Sequence, residues 1–154
     1  MPLPPASMSK LMTLYMAFEA INPLNGQDPI VTVDDILPVS QHCMNYTGST
    51  MFLDTSDRVP VEDLLRGVIV LSGNDASCVL AEALSLSGTE AGFAQQMTTR
   101  AQQLGMHNST FANSNGWPAV GHRMSMRDLG ILANRMITDY PTFYPLFSEA
   151  EFDY

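Results

Sequence analysis

Basic residues are scarce in this chain. Seven stand against sixteen acidic ones, giving a formal net charge of −9 at pH 7, and a single one of the seven, Lys10, is a lysine. The arginines are scattered, so no basic patch exists to meet a phosphate backbone, and a nucleic-acid partner is excluded on electrostatic grounds. Long hydrophobic runs are also lacking: none approaches the ~18 residues that a membrane span requires. The opening Met1-Pro2-Leu3-Pro4-Pro5 has neither the charged nor the apolar stretch of a secretion leader. The only cysteines, Cys43 and Cys78, have the spacing of neither a metal pair nor a redox motif. A disulfide does not follow from such a spacing, and the expectation is two buried, small apolar side chains. His42, His107 and His122 lie far apart in polar stretches with no cysteine or carboxylate cluster around them. Neither a zinc site nor a cofactor is expected.

What is present is a globular composition, 45% hydrophobic and 15% charged over 154 residues, enough for one ordinary core. Pro4-Pro5-Ala6-Ser7 reads as an extended entry into a helix that starts near Ser7 and runs to Ala20. Met8, Leu11, Met12, Leu14, Tyr15, Met16 and Phe18 leave that helix no polar face, which places it in the middle of a core. Short extended pieces are expected at Ile30–Val33 and Ile36–Val39, followed by a Gly/Ser/Thr loop around Thr47–Thr50. Pro60-Val61-Glu62-Asp63 opens a second helix to about Leu71, acidic in its first turn as the helix dipole favours.

Ser72-Gly73-Asn74 interrupts, and a third helix runs from Asp75 to about Leu86. Thr89 caps a fourth, on which Phe93, Met97, Ala101 and Leu104 share a face before Gly105 ends it. Residues 106–123 form a long polar loop of the kind that is often functional. Ser125-x-x-Asp128 starts a last helix, to about Ile137. The pattern is mostly helical, with little β structure.

Two short motifs carry chemistry. In Ser7-Met8-Ser9-Lys10 the hydroxyl and the ammonium stand at i and i+3, on one helix face. Serine is a poor nucleophile until a neighbour takes its proton, and a lysine can do so at neutral pH only where burial lowers its pKa. A serine three residues before a lysine is a common pattern. Here it gains weight because the chain's single lysine opens its most apolar helix. Ser72-Gly73-Asn74 could be a plain helix break; as a functional turn it presents a hydroxyl that relays a proton and a carboxamide that grips a peptide group.

Together these motifs resemble those of the serine acyl-transferases that bind penicillin. Pro5-Ala6-Ser7-Met8-Ser9-Lys10-Leu11-Met12-Thr13 resembles the nucleophile helix of the low-molecular-mass D-alanyl-D-alanine carboxypeptidases, peptidase family S11. Ser49–Leu53, Val59–Leu65, Val70–Ala76, Leu104–Met106, Ser109–Phe111, Asn115-Gly116, Met124–Leu129 and Tyr144–Glu149 follow that family in order and spacing. The resemblance implies an α/β (α+β) fold of the β-lactamase and DD-peptidase type.

It also implies roles: Ser7 as the acylated serine, with its backbone N–H as half of an oxyanion hole, Lys10 as general base, and Ser72 and Asn74 as the second catalytic motif. The implied substrate is the D-alanyl-D-alanine end of a peptidoglycan stem peptide, with β-lactams acylating the same serine. The implied location is the periplasm, or the outer face of the bacterial cytoplasmic membrane.

The sequence departs from the family in lacking its third motif, Lys-Thr-Gly, since Lys10 is the only lysine. The chain is therefore expected to form, over residues 1–154, one incomplete catalytic domain: the helical part, with the main antiparallel sheet largely missing and any membrane attachment made through segments not included here. Poor solubility and weak or absent catalysis by this chain alone are expected, because the face that packs on the sheet would be bare. A class A β-lactamase is disfavoured, because no Glu-x-x-Leu-Asn stretch is present to activate a deacylating water. The non-enzymatic alternative is a degenerate helical module of the same family.

Overall fold

The computed structural model describes residues 5–23, 26–48, 50–71, 73–115 and 125–141, with backbone alone for 5–8. In chain order the elements are α1 (Pro5–Ile21), β1 (Ile36–Pro38), α2 (Gln41–Met44), β2 (Arg58–Pro60), α3 (Val61–Leu71), α4 (Asn74–Leu84), α5 (Glu90–Gln103) and α6 (Met126–Asp139).

Helix α1 is central, packing against α3, α4, α5 and α6. Its Met12, Leu14, Tyr15, Ala17 and Phe18 are all buried, as its lack of a polar face requires. Helix α4 is the second central element and is buried from Asn74 through Ala81. Small side chains at Ala76, Ser77, Cys78 and Ala81 let its neighbours α1, α2, α3 and α5 approach closely. Around Tyr15 the core closes with an edge-on contact to Tyr140, ring centroids 5.3 Å apart, and the Tyr15 hydroxyl donates to Asp139 at 2.8 Å.

Helix ends follow local chemistry. Thr89 caps α5 by accepting from the Gly92 N–H, and Ser125 caps α6 by accepting from the Asp128 N–H. Asp128 does not complete a reciprocal box. Its carboxylate turns to the Asn108 N–H at 2.9 Å and the Ser109 hydroxyl at 2.6 Å, tying the start of the polar loop to α6.

Several expectations are corrected. Ile30–Val33 is not a strand: it is irregular and runs into a turn at Val33-Asp34 held by Thr32 and Asp35. Ile36–Pro38 does pair, antiparallel, but with the unanticipated Arg58–Pro60, in the register Ile36↔Pro60, Leu37↔Val59, Pro38↔Arg58. The one-turn helix α2, capped by the Ser40 hydroxyl, is too short to leave a periodic signal. Cys43 and Cys78 are buried as expected, yet they are not two independent small apolar residues: they form a disulfide, Cα atoms 5.4 Å apart across a sequence separation of 35. Only the path of the chain over α4 brings them together. Residues 116–124 and 142–154, which carry part of the polar loop and the aromatic tail, lie outside the described residues.

Among the described residues, no helix is long and apolar enough to cross a membrane.

Candidate active site

Of the four residues singled out in the sequence, two can be placed in full. The backbone of Ser7 lies in the first turn of α1, three residues before Lys10, so both Cα atoms are on one helix face. The Ser7 side chain and the whole of Ser72 lie outside the described residues. Lys10 is buried, 6% exposed, and burial lowers its pKa from the ordinary lysine value because desolvation disfavours the ammonium. That shift favours the neutral amine, the form that accepts a proton.

Asn74 is the first residue of α4, after the extended N-cap Gly73. Its carboxamide is buried, and Nδ2 donates to the Thr47 carbonyl at 2.8 Å. One donor of the carboxamide is thus committed to a fixed backbone atom, which sets the direction of the other donor and of the acceptor.

A buried polar loop joins the two helices. Thr13, one turn beyond Lys10, donates its hydroxyl to the Ser114 carbonyl at 2.5 Å. The next residue, Asn115, reaches the Asn74 carbonyl through Nδ2 at 3.4 Å. Asn113, Ser114 and Asn115 are all buried, which their composition alone would not suggest. None of their buried side-chain polar atoms is left without a hydrogen-bond partner, which is what allows such burial.

Glu90 partners Ser114 and two residues of the 42–46 segment. It opens α5, where a carboxylate is favoured by the helix dipole, and is 5% exposed. It accepts from the Tyr46 hydroxyl at 2.5 Å, from His42 Nε2 at 2.8 Å, and from the Ser114 hydroxyl and N–H at 2.6 and 3.3 Å. Burial, and then the bond to Glu90, push the Tyr46 phenol well above its usual range, so it stays a neutral donor.

A second buried carboxylate, Asp75, accepts from the N–H groups of Met51 at 2.9 Å and Leu53 at 3.0 Å. Phe52 between them is held at φ 58 with its ring 90% exposed. Gly67 on α3 gives this segment room: a Cβ there would stand 2.0 Å from Met51 Sδ.

Sequence reasoning did not assign roles to Thr13, Glu90, Ser114 or Asn115. The signal pointing to Ser114 and Asn115 was the polar loop itself, whose length marked it as functional; Thr13 and Glu90 lie outside it, on α1 and α5. A cavity of about 450 Å³ lies elsewhere, between α1 and α5, where Glu19 and Arg100 pair with each other along its wall. Two groupings of metal-ligating types occur among the described residues, His42–Cys78–Glu90 and Cys43–Cys78–Glu82, and in both the Cys78 sulfur is committed to Cys43.

Comparison with known proteins covers the same ground. The sequence model of the peptidase S11 family, D-alanyl-D-alanine carboxypeptidase, matches residues 1–154. The D-alanyl-D-alanine carboxypeptidase DacF of Bacillus subtilis is 35% identical over 135 residues, 88% of this chain and 33% of that protein. The crystal structure of the D-alanyl-D-alanine carboxypeptidase DacD from Francisella tularensis superposes with a TM-score of 0.84 at 33% identity, over 93% of this chain and 33% of that one. Penicillin-binding protein D2 of Listeria monocytogenes, solved in an ampicillin-bound form, is similar with a TM-score of 0.71 at 28% identity, over 92% of this chain and 54% of that one. This chain therefore spans about a third of the length of the first two.

Proposed function

The chain belongs to the peptidase S11 family of D-alanyl-D-alanine carboxypeptidases and has the helical arrangement of its penicillin-binding members, and from that premise we propose that it supplies the acylating half of such an enzyme. The observation that carries the reading is Lys10: the chain's single lysine, buried, its pKa lowered by burial, one turn from Ser7 on the central helix.

In this reading Lys10 takes the Ser7 hydroxyl proton as Ser7 Oγ attacks the carbonyl carbon of the penultimate D-alanine of a peptidoglycan stem peptide. The Ser7 N–H belongs to the first turn of α1, whose amides have no intrahelical acceptor, and it stabilises the developing oxyanion. Ser72 passes the proton to the leaving amine as the C–N bond breaks, and terminal D-alanine departs. Asn74 aligns the substrate peptide group with the free end of its carboxamide. Water then hydrolyses the ester on Ser7. A β-lactam follows the first step, its ring amide opening on the same oxygen.

The substrate places the reaction outside the cytoplasm, and the Cys43–Cys78 disulfide supports an oxidising compartment. Residues 1–154 stand in this reading as one part of the catalytic domain, with the Lys-Thr-Gly strand contributed from outside them.

The test is the intact mass of the protein after incubation with a penicillin, with Ser7→Ala alongside. A slowly formed covalent adduct on the parent chain and none on the variant is the expected result, since residues 1–154 hold no Lys-Thr-Gly. A folded chain that takes up no penicillin would mean that the missing strands are indispensable or that this is the non-catalytic helical module, and restoring the strands separates the two.

A further inference from the structure

The Cys43–Cys78 disulfide plays no part in the chemistry above, yet its position relates it to Asn74. Cys78 lies four residues after Asn74 on α4, one turn below it on the same face. Cys43 lies four residues before Thr47, the residue whose carbonyl receives Asn74 Nδ2 at 2.8 Å. The two links close a small ring: down one turn of α4 from Asn74 to Cys78, across the disulfide to Cys43, along Met44-Asn45-Tyr46 to Thr47, and back through the hydrogen bond.

The disulfide is the covalent anchor of that segment, and the other anchors are non-covalent. Helix α2 is a single turn, too short to be stable by itself, and Cys43 is its only buried residue. His42 and Tyr46 also contact Glu90, Tyr46 hydrogen-bonds to Asn115, and Met44 and Tyr46 pack on the core. Both cysteines are fully buried, which closes the bond to reductants in the folded protein, so it acts as a permanent tie and not as a switch.

We infer that the Cys43–Cys78 disulfide is a positioning clamp for the Asn74 carboxamide, holding the Thr47 carbonyl where it fixes the carboxamide's direction toward the substrate. Without the tie, the 43–47 segment lifts from α4, the Nδ2 bond to Thr47 is lost, and the amide rotates. The inference rests on the proposed acylation for its catalytic consequence and stands apart from it in its structural one.

The test compares the full chain with Cys43→Ala/Cys78→Ala in two measurements. The first is proton exchange of the Asn74 side-chain amide by NMR, which needs no activity. The second is the rate of acylation by a fluorescent penicillin, resolved into initial affinity and acylation step. In the variant, exchange at the Asn74 amide rises and the acylation step slows by about tenfold or more, with affinity little changed and circular dichroism retained, as expected for a misaligned contact. A reduced and refolded parent chain shows the same loss and regains the rate on re-oxidation, when two thiol protons and two electrons pass to an added oxidised dithiol, which is released as the reduced dithiol.

Equal exchange and equal rate in the two proteins would overturn the clamp. So would a native parent chain whose mass shows both thiols free while the Asn74 amide stays protected. Should the double alanine variant fail to fold, Cys43→Val/Cys78→Ala restores volume and gives the same comparison. A parent chain that takes no penicillin overturns the acylation reading, and the exchange measurement then decides the clamp by itself.

Discussion

The hydroxyl of Thr13, one helical turn beyond Lys10, donates to the backbone carbonyl of Ser114 at 2.5 Å, across a sequence separation of 101. Through this bond the helix carrying the base is tied to the loop whose next residue, Asn115, touches Asn74. Thr13→Val keeps the shape and removes the donor, leaving a buried carbonyl unpaired at a cost of about 1–3 kcal/mol. Thr13→Ser keeps the hydroxyl and loses less. Urea unfolding of the two variants measures the difference; equal losses would mean that the methyl group matters and the hydrogen bond does not.

Lys10 sets the pH behaviour. The folded chain releases this proton below the ordinary lysine range because burial lowers its pKa. In the window between the lowered and the ordinary value the unfolded chain binds more protons, so stability rises with pH there. At neutral pH the burial opposes folding. Lys10→Met is therefore expected to stabilise the chain at neutral pH, to flatten that rise, and to abolish acylation by penicillin. The parent's acylation rate should climb with pH around a midpoint below that of an exposed lysine.

Tyr15 gives the opposite slope at alkaline pH. Its phenol is pushed up to about 12, chiefly by burial and then by the bond to Asp139. Above its unfolded value, near 10, the unfolded chain sheds a proton that the folded chain keeps, so stability falls as pH rises from about 10 to about 12. Tyr15→Phe should remove part of that fall while costing about 1 kcal/mol at neutral pH for the lost hydrogen bond. Thermal unfolding across that range measures both.

Phe52 sits at φ 58 with its ring in solvent. The left-handed conformation costs a side-chain-bearing residue about 1–2 kcal/mol, and the exposed ring offers little packing to offset it. Phe52→Gly should stabilise the chain by about 0.5–1 kcal/mol after the entropy cost of glycine. A loss of stability in urea would show that the ring is held by contacts worth more than the strain.

The elements most legible in the sequence were those whose local chemistry is strong. The apolar face-free run after Ser7 had to be central, Thr89 and Ser125 had to cap, and Val61–Leu71 carried both its acidic first turn and its apolar stripe. The candidate motif residues were equally legible, because Ser7 and Lys10 share a face through helical period alone. The strand at Arg58–Pro60 and the irregular path of Ile30–Val33 were not, since three paired residues leave no periodic trace and pairing is decided by the partner.

By itself, then, the sequence determined the five longer helices, the placement of a single lysine on the most apolar of them, and the family. Only the tertiary structure decided that Cys43 and Cys78 join, that Glu90 gathers Tyr46, His42 and Ser114, and that Thr13 and Asn115 bridge α1 to α4. The physical reason is the range of the forces involved. Helix period and capping act within a turn or two, whereas a buried donor or sulfur finds its partner only where the packed core brings distant segments together.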